Sequence, residues 1–373
     1  MLADFRGSHP CKSAMNPRQS KTMKISPKVI LIAIILLGSF FRLYNVNWDT
    51  NHHLHPDERF LVMVGNAMKQ PATFSDYLDP QISTFNPANL EYKFYVYGIF
   101  PVVLNKLAAL KFNNDTYNAF VLQGRVLSAF FDLLTLLVVI KLLMLLRKHR
   151  NFPRETVWLG AFFYAIAVLP IQLSHFFAVD TFLSFFMLAS LYFMLKFYYE
   201  LKETSLLWSG MLLGLAFASK VSSLYILPLQ MVLLIMVCIK KQPLLTHGLK
   251  MFFKNRLLEI VTSIALTALL FFIPMYLMLR VADPYYFADA NIFHVAANPL
   301  FLQNLKTLES FSNPAGWFPP GVQWIHKTPV LFALYNIAFW GVGLFPFLFI
   351  AVGIFYFIKK HRHPELVIVF SWV

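Results

Sequence analysis

The sequence predicts an all-α fold: a polytopic bundle of transmembrane helices with large extracytoplasmic loops that carry interfacial helices. Three observations predict it. The 373 residues are 58% hydrophobic and 17% aromatic but only 13% charged, against roughly 25% charged in a soluble domain. Apolar runs long enough to cross a bilayer recur from end to end. The basic residues behind the formal net charge of +14 gather at the ends of those runs, as cytoplasmic loops require. The charge therefore marks a membrane topology and gives no reason to invoke a nucleic-acid partner. Cys11 lies in the polar N-terminal tail and Cys238 at the basic end of a span, so no disulfide is implied.

Residues 1–24 read as a cytoplasmic tail, with Met23 as an alternative start, and 25–373 as one transmembrane domain. The first apolar run, 29–46, has a basic flank (Lys21, Lys24, Lys28) but no small-residue cleavage site before Arg42. It reads as a retained signal anchor running outward. The basic clusters at 147–150, 240–256 and 359–362 belong inside with the tail. An outer loop then covers 47–118, followed by spans at 119–146, 156–173 and 178–198. A tight pair at 206–219 and 223–239 turns around Lys220, and a span at 259–280 leads to a second outer loop at 281–327. The span at 328–358 returns inside. The apolar run 366–373 falls short of the roughly 20 residues a crossing needs, so it reads as a ninth span, cut short, of a longer protein.

Two loop segments read as helices lying on the membrane. Residues 94–110 are apolar enough to cross, but counting them would put the 147–150 cluster outside. Their aromatic start (Tyr92, Phe94, Tyr95, Tyr97, Phe100) suits an interfacial helix. Residues 57–69 carry a helical stripe of Phe60, Leu61, Val64, Ala67 and Met68, suited to the bilayer surface.

The chemistry-bearing residues gather just past the first span, in His52-His53-Leu54-His55-Pro56-Asp57-Glu58-Arg59. Pro56 followed by two acids is what a helix N-terminus needs for its dipole. Three flanking histidines go beyond that need. A carboxylate there can take a proton from a hydroxyl or hold a cation. Asp57 is the candidate base. Glu58 points about 100° away on a helix, toward a metal or acceptor. Asp57, Glu58 and His55 are candidate ligands for a divalent ion. Asp180, beside His175 near the outer end of a span, is a functional candidate because an acid at membrane depth is costly. Lys220, Arg125 and Lys93 could each meet a lipid phosphate; snorkelling explains such cations equally well. Asp132, inside the second span, calls for a buried basic partner that the sequence does not name. The second outer loop holds Asp283, Asp289, His294, Trp317, Trp324, His326 and Lys327 among prolines 314, 319, 320 and 329. Its aromatics could stack on sugars or anchor the loop at the interface.

In this order the motifs resemble the GT-C membrane glycosyltransferases, including protein O-mannosyltransferases and the aminoarabinose transferase of lipid A. The matching stretches are Asp57-Glu58, the Tyr92 to Tyr97 segment, Gln123-Gly124-Arg125, His175 to Asp180, and Gly214 to Lys220. The His55-Pro56-Asp57-Glu58 run and Gln323-Trp324 with Thr328-Pro329 are most similar to bacterial members that use a phospholipid carrier. The resemblance implies a GT-C bundle in the bacterial inner membrane with its site facing outside. It implies a polyprenyl-phosphate sugar as donor, and a protein, lipid or glycan hydroxyl as acceptor. Asp57 would be base or acceptor-orienting group, and Glu58 would assist or bind metal. Lys93, Arg125 or Lys220 would stabilise the departing phosphate. Other readings are a flippase or transporter for a lipid-linked sugar, which wants ionisable groups at the midplane and internal symmetry; a polysaccharide polymerase or ligase; and a non-catalytic scaffold.

Overall fold

A computed structural model describes residues 26–241, 257–311, 321, 325–360 and 363–372. The N-terminal tail lies outside the described residues. So do Lys250, Lys254, Arg256, Pro314, Trp317, Pro319, Pro320, Gln323, Trp324, His361 and Arg362 of the second loop and the basic clusters. The described chain is helical, and its one bridge pairs Phe287 with Ala297.

The bundle is built on α5 (Tyr117–Arg150), 34 residues long and so about 50 Å at 1.5 Å per residue. It packs against α8 (Val179–Glu200), which packs against α9 (Glu203–Ser219); α9 in turn packs on α11 (Leu257–Ala282). A 3₁₀ turn (Val221–Ile226) leads into α10 (Leu227–Lys241). Four described helical segments have the length and apolarity to cross a membrane: Tyr117–Arg150, Val179–Glu200, Val221–Lys240 and Val261–Ala282. The chain is a multi-pass integral membrane protein. Its first apolar run forms α1 (Pro27–Leu43), a 17-residue helix against α5 and α6 (Arg154–Ala165).

The close contact of α9 and α11 comes from missing side chains. A Cβ on Gly210 would stand 2.1 Å from the Phe271 carbonyl oxygen, and one on Gly214 2.4 Å from that of Met275. In a bilayer, where apolar burial gives little drive, such approach and buried hydrogen bonds hold helices together. The latter join α8, α9 and α10. Ser190 Oγ donates to the Ser209 carbonyl at 2.7 Å, Ser209 Oγ to that of Ser190 at 2.9 Å, and Gln230 Nε2 to Ser190 Oγ at 2.7 Å.

Two expected spans are broken. The one at 156–173 is two helices, α6 and α7 (Val168–Ser174), meeting at 52°. Pro170 has no N–H to donate and its ring crowds the carbonyl of Ile166. The break frees carbonyls, and Arg42 of α1 takes them: Nη1 donates to Ala165 O at 2.9 Å and Nη2 to Tyr164 O at 3.2 Å. Arg42 also pairs with Asp132, whose other oxygen accepts the Tyr164 hydroxyl at 2.5 Å. Arg42 is thus the partner Asp132 called for. The expected span at 328–358 is divided into α13 (Pro329–Asn336) with a π-helical turn (Ile337–Gly341), and α14 (Leu344–Lys360). Gly343 between them holds φ +90°, a conformation that suits glycine. The run after the basic cluster forms α15 (Pro364–Trp372).

The two interfacial helices are corrected. α2 (Pro56–Ala67) buries Leu61, Val62 and Val64 completely against α4 and α5, so protein and not lipid covers its apolar stripe. The aromatic stretch from Tyr92 to Gly98 is not helical; α4 begins at Phe100 (Phe100–Phe112), with Val102 and Ala109 fully buried.

Candidate active site

The start of α2, the first turn of α8, and the ends of α9 and α11 meet at one end of the bundle. The basic residues Arg147 to Arg150 and Lys240 lie at the other, where Lys148 pairs with Glu200 at 2.8 Å.

Three residues fix α2. His55 is its N-cap, and Nδ1 accepts the Glu58 backbone N–H at 3.2 Å. Its ring stacks on Phe176, with centroids 4.3 Å apart. Glu58 points inward and is 0% exposed. Its Oε1 accepts from Arg125 Nε at 2.8 Å and from the Phe177 backbone N–H at 2.7 Å; Oε2 accepts from Arg125 Nη2 at 2.6 Å. The rest of the guanidinium goes to Asp49 (3.0 and 2.8 Å) and the Val46 carbonyl (3.0 Å). Every N–H of Arg125 is therefore used. Arg125 holds the Asp49 carboxyl down at about 2, against the push of burial.

This corrects two expected roles. Glu58 is fully buried, with Arg125 on both carboxylate oxygens and the Phe177 N–H on one, so it anchors α2 instead of opening onto solvent as a metal or acceptor contact would. Arg125 is sealed between two carboxylates and cannot meet a lipid phosphate. His175 is corrected as well. Its Nδ1 lies 2.8 Å from the Ile171 carbonyl and Nε2 2.9 Å from that of Tyr44, clamping α7 to the end of α1. His53 ties its loop to α5 through Asn118 at 2.8 Å. Asp57, Glu58 and His55 do not converge as a ligand set: Glu58 turns inward to Arg125, His55 Nδ1 caps α2, and Asp57 is exposed. Among the described residues no three His, Cys, Asp or Glu side chains converge as a metal site.

Asp57 is exposed, one residue from the anchor. Beside it stands Tyr97, whose hydroxyl is held protonated far above its ordinary range by burial, by the Asp57 carboxylate it faces, and by the charge of Asp180. Tyr97 is placed by its neighbour. The Gly98 N–H donates to the Ser219 carbonyl at 3.0 Å, and a Cβ on Gly98 would lie 2.0 Å from the Ala218 oxygen. Only glycine lets this strand-like segment rest on the end of α9. The next residue of α9's exit is Lys220, whose Nζ pairs with Asp180 at 2.8 Å while a third of its side chain stays exposed (33%). Asp57, Tyr97, Asp180 and Lys220 thus share one solvent-reaching site. Lys93 is exposed nearby, at the wall of an adjoining cavity, with no ion-pair partner among the described residues. His294 and Asp289 pair with each other.

Residues 95–286 match the family model for dolichyl-phosphate-mannose-protein mannosyltransferase. The chain belongs to this family. The match covers Tyr97, Asp180, Lys220 and Asp283; Asp57 lies upstream of it. A search of curated proteins finds no match. Among solved structures, the chain is similar to the Saccharomyces cerevisiae protein O-mannosyltransferase Pmt1-Pmt2 complex bound to the sugar donor. There the identity is 18% over 69% of this chain and 33% of that one, with a TM-score of 0.47. It is also similar to the Archaeoglobus fulgidus oligosaccharyltransferase in the apo form (16% identity, 94% and 40% covered, TM-score 0.49). A further similarity is to oligosaccharyltransferase AglB from that organism in complex with an inhibitory peptide and a dolichol-phosphate (15%, 91% and 38%, 0.47). The chain spans well under half the length of these proteins.

Sequence reasoning had Asp57, Asp180, Lys220 and Lys93 as separate candidates, and the fold brings the first three together. It gave Tyr97 no role of its own, naming it only within the aromatic 92–97 segment, and passed over Asp49, which carried no motif. An aromatic directly before a glycine was the available signal for Tyr97.

Proposed function

We propose that the chain carries the catalytic half-site of a membrane glycosyltransferase. It would move a sugar, mannose by family, from a polyprenyl-phosphate donor to an acceptor hydroxyl on the outer face of the membrane. The observation that carries the reading is the grouping of an exposed carboxylate, Asp57, with a phenol and a half-exposed lysine at one end of an apolar bundle. The donor's tail belongs in the bilayer and its phosphate at headgroup depth, and the acceptor arrives from water. Family membership favours this transferase reading over a flippase.

In this reading the acceptor oxygen attacks the anomeric carbon as its proton passes to Asp57. The bond from that carbon to the phosphate oxygen breaks, and polyprenyl phosphate leaves with the bonding pair. Tyr97 orients the Asp57 carboxylate. Lys220 faces the charge growing on the phosphate and is held for this by Asp180; Lys93 is a second cation within the same area. Such groups act by being placed before the charge appears. Glu58 and Arg125 contribute only by holding α2 in position. In this reading the acceptor is a protein hydroxyl, a choice that family membership favours over a lipid or glycan.

The test uses membranes containing the full-length protein and radiolabelled polyprenyl-phosphate mannose. Asp57→Asn should lower transfer by about 10²–10⁴-fold, the usual worth of a general base, while the protein still inserts. Undiminished transfer would remove Asp57 from the mechanism.

A further inference from the structure

At the basic end of the bundle, away from Asp57, α1, α5 and α6 form a groove with a cavity of about 330 Å³. This is within the range of about 300–1,000 Å³ typical of small-molecule sites. Leu31 of α1, Met144 of α5 and Val157 of α6 give it apolar walls. Trp158 adds an aromatic ring, and Arg147 and Arg154 add two cations from two different helices.

The protein's own carboxylates do not account for these arginines. In the cluster at 147–150, Lys148 and His149 stand 2.8 and 3.8 Å from Glu200, and Arg150 pairs with Glu365. Among the described residues no carboxylate pairs with Arg147 or Arg154, and both are exposed. Glu155 follows Arg154, but adjacent side chains on a helix diverge by about 100°. Membrane topology explains cations at this end of the bundle; it does not explain where they stand. Arg147 is in the last turn of α5, where the helix dipole favours a cation, whereas Arg154 is the first residue of α6, where the dipole opposes one. The N-cap of α6 is Pro153, and no side chain caps its first turn. An anion in the groove would offset both the mutual repulsion of the arginines and the adverse charge at the start of α6.

The walls select the class of anion. Apolar surface suits an acyl chain and offers nothing to a free phosphate ion, and tryptophan is a residue of the membrane interface. A cationic headgroup such as choline would stand against the arginines. The tail leading into α1 carries Arg6, Lys12, Arg18, Lys21 and Lys24 against one acid, Asp4, so its charge is wrong for the groove.

We propose that this groove binds an anionic phospholipid from the leaflet at the basic end of the bundle. Its phosphodiester lies between Arg147 and Arg154, and the upper part of an acyl chain lies on Leu31, Met144 and Val157. Basic pockets between membrane helices take such headgroups. The bound lipid joins α1 to α5 and α6. The inference does not depend on the transferase reading.

The test titrates the purified full-length protein in uncharged detergent with phosphatidylglycerol, phosphatidylcholine or inorganic phosphate, reading bound lipid by native mass spectrometry and the unfolding temperature in parallel. Phosphatidylglycerol should bind and raise the unfolding temperature; the other two should do neither at the same concentration. Arg147→Gln with Arg154→Gln should weaken phosphatidylglycerol binding about 30-fold, whereas Lys202→Gln with Lys359→Gln, which removes the same charge elsewhere, should leave it unchanged. Met144→Trp, which fills the cavity and keeps both arginines, should weaken it as well. Equal binding of the two lipids, an equal shift with inorganic phosphate, undiminished binding in the arginine pair or in Met144→Trp, or an equal loss in the lysine pair overturns the assignment.

Discussion

Replacing Arg125 with methionine separates a structural role from a ligand-binding one. The guanidinium is 0% exposed and lies between Asp49 and Glu58, themselves buried. Removing it leaves two like charges facing each other without water. Breaking a buried ion pair from one side costs about 3–5 kcal/mol, or roughly a hundred- to several-thousand-fold in the folded-to-unfolded ratio. At about 2–4 °C per kcal/mol, the purified full-length protein should unfold on the order of 10 °C lower in detergent. If stranded charge is the cause, adding Asp49→Asn and Glu58→Gln to Arg125→Met should recover more than half of the loss. A phosphate ligand would behave otherwise: Arg125→Met would leave the unfolding temperature alone and weaken donor binding. Stability within about 1 kcal/mol of the parent, or a triple variant no better than the single one, would refute the reasoning.

Three other outcomes are expected. His55→Ala removes the cap of α2 and should cost about 1 kcal/mol, and His55→Asn should restore most of it; chemical unfolding measures both. Gly98→Ala places a Cβ against the Ala218 carbonyl and should cost about 1–3 kcal/mol, with transfer activity falling further because Tyr97 is displaced from Asp57. Asp283 has a carboxyl near 8 in the fold and near about 3.9 unfolded. Its stabilising contribution is complete below the lower value and disappears as pH rises through the upper one. The unfolding temperature should therefore fall between about pH 4 and 8 and level off above, and Asp283→Asn should flatten that profile; parallel profiles would show that Asp283 is not the group responsible.

The bundle was legible in the sequence because apolarity and basic clusters are written along the chain. The long α5 runs from 117 to 150 where a span was expected at 119–146. The breaks were not legible, although Pro170 and Gly343 stand at them, because a proline or glycine in an apolar run is common in membrane helices and acts only through the geometry around it. Of the site, Asp57 was visible through its neighbours, but the same neighbours misled about Glu58. Adjacent residues on a helix point apart, and nothing local shows that one of two acids meets an arginine 67 positions away. Asp283 carried no signal beyond ending an apolar run; its solitude among tyrosines exists only in three dimensions.

The contact of α9 with α11 through bare backbone sets a limit on how this protein can open. Sliding one helix past the other would drive a neighbouring side chain into the space that Gly210 and Gly214 leave empty. The exits of these two helices, where Lys220 and Asp283 sit, are therefore fixed at a constant separation, like the jaws of a vice that has been locked.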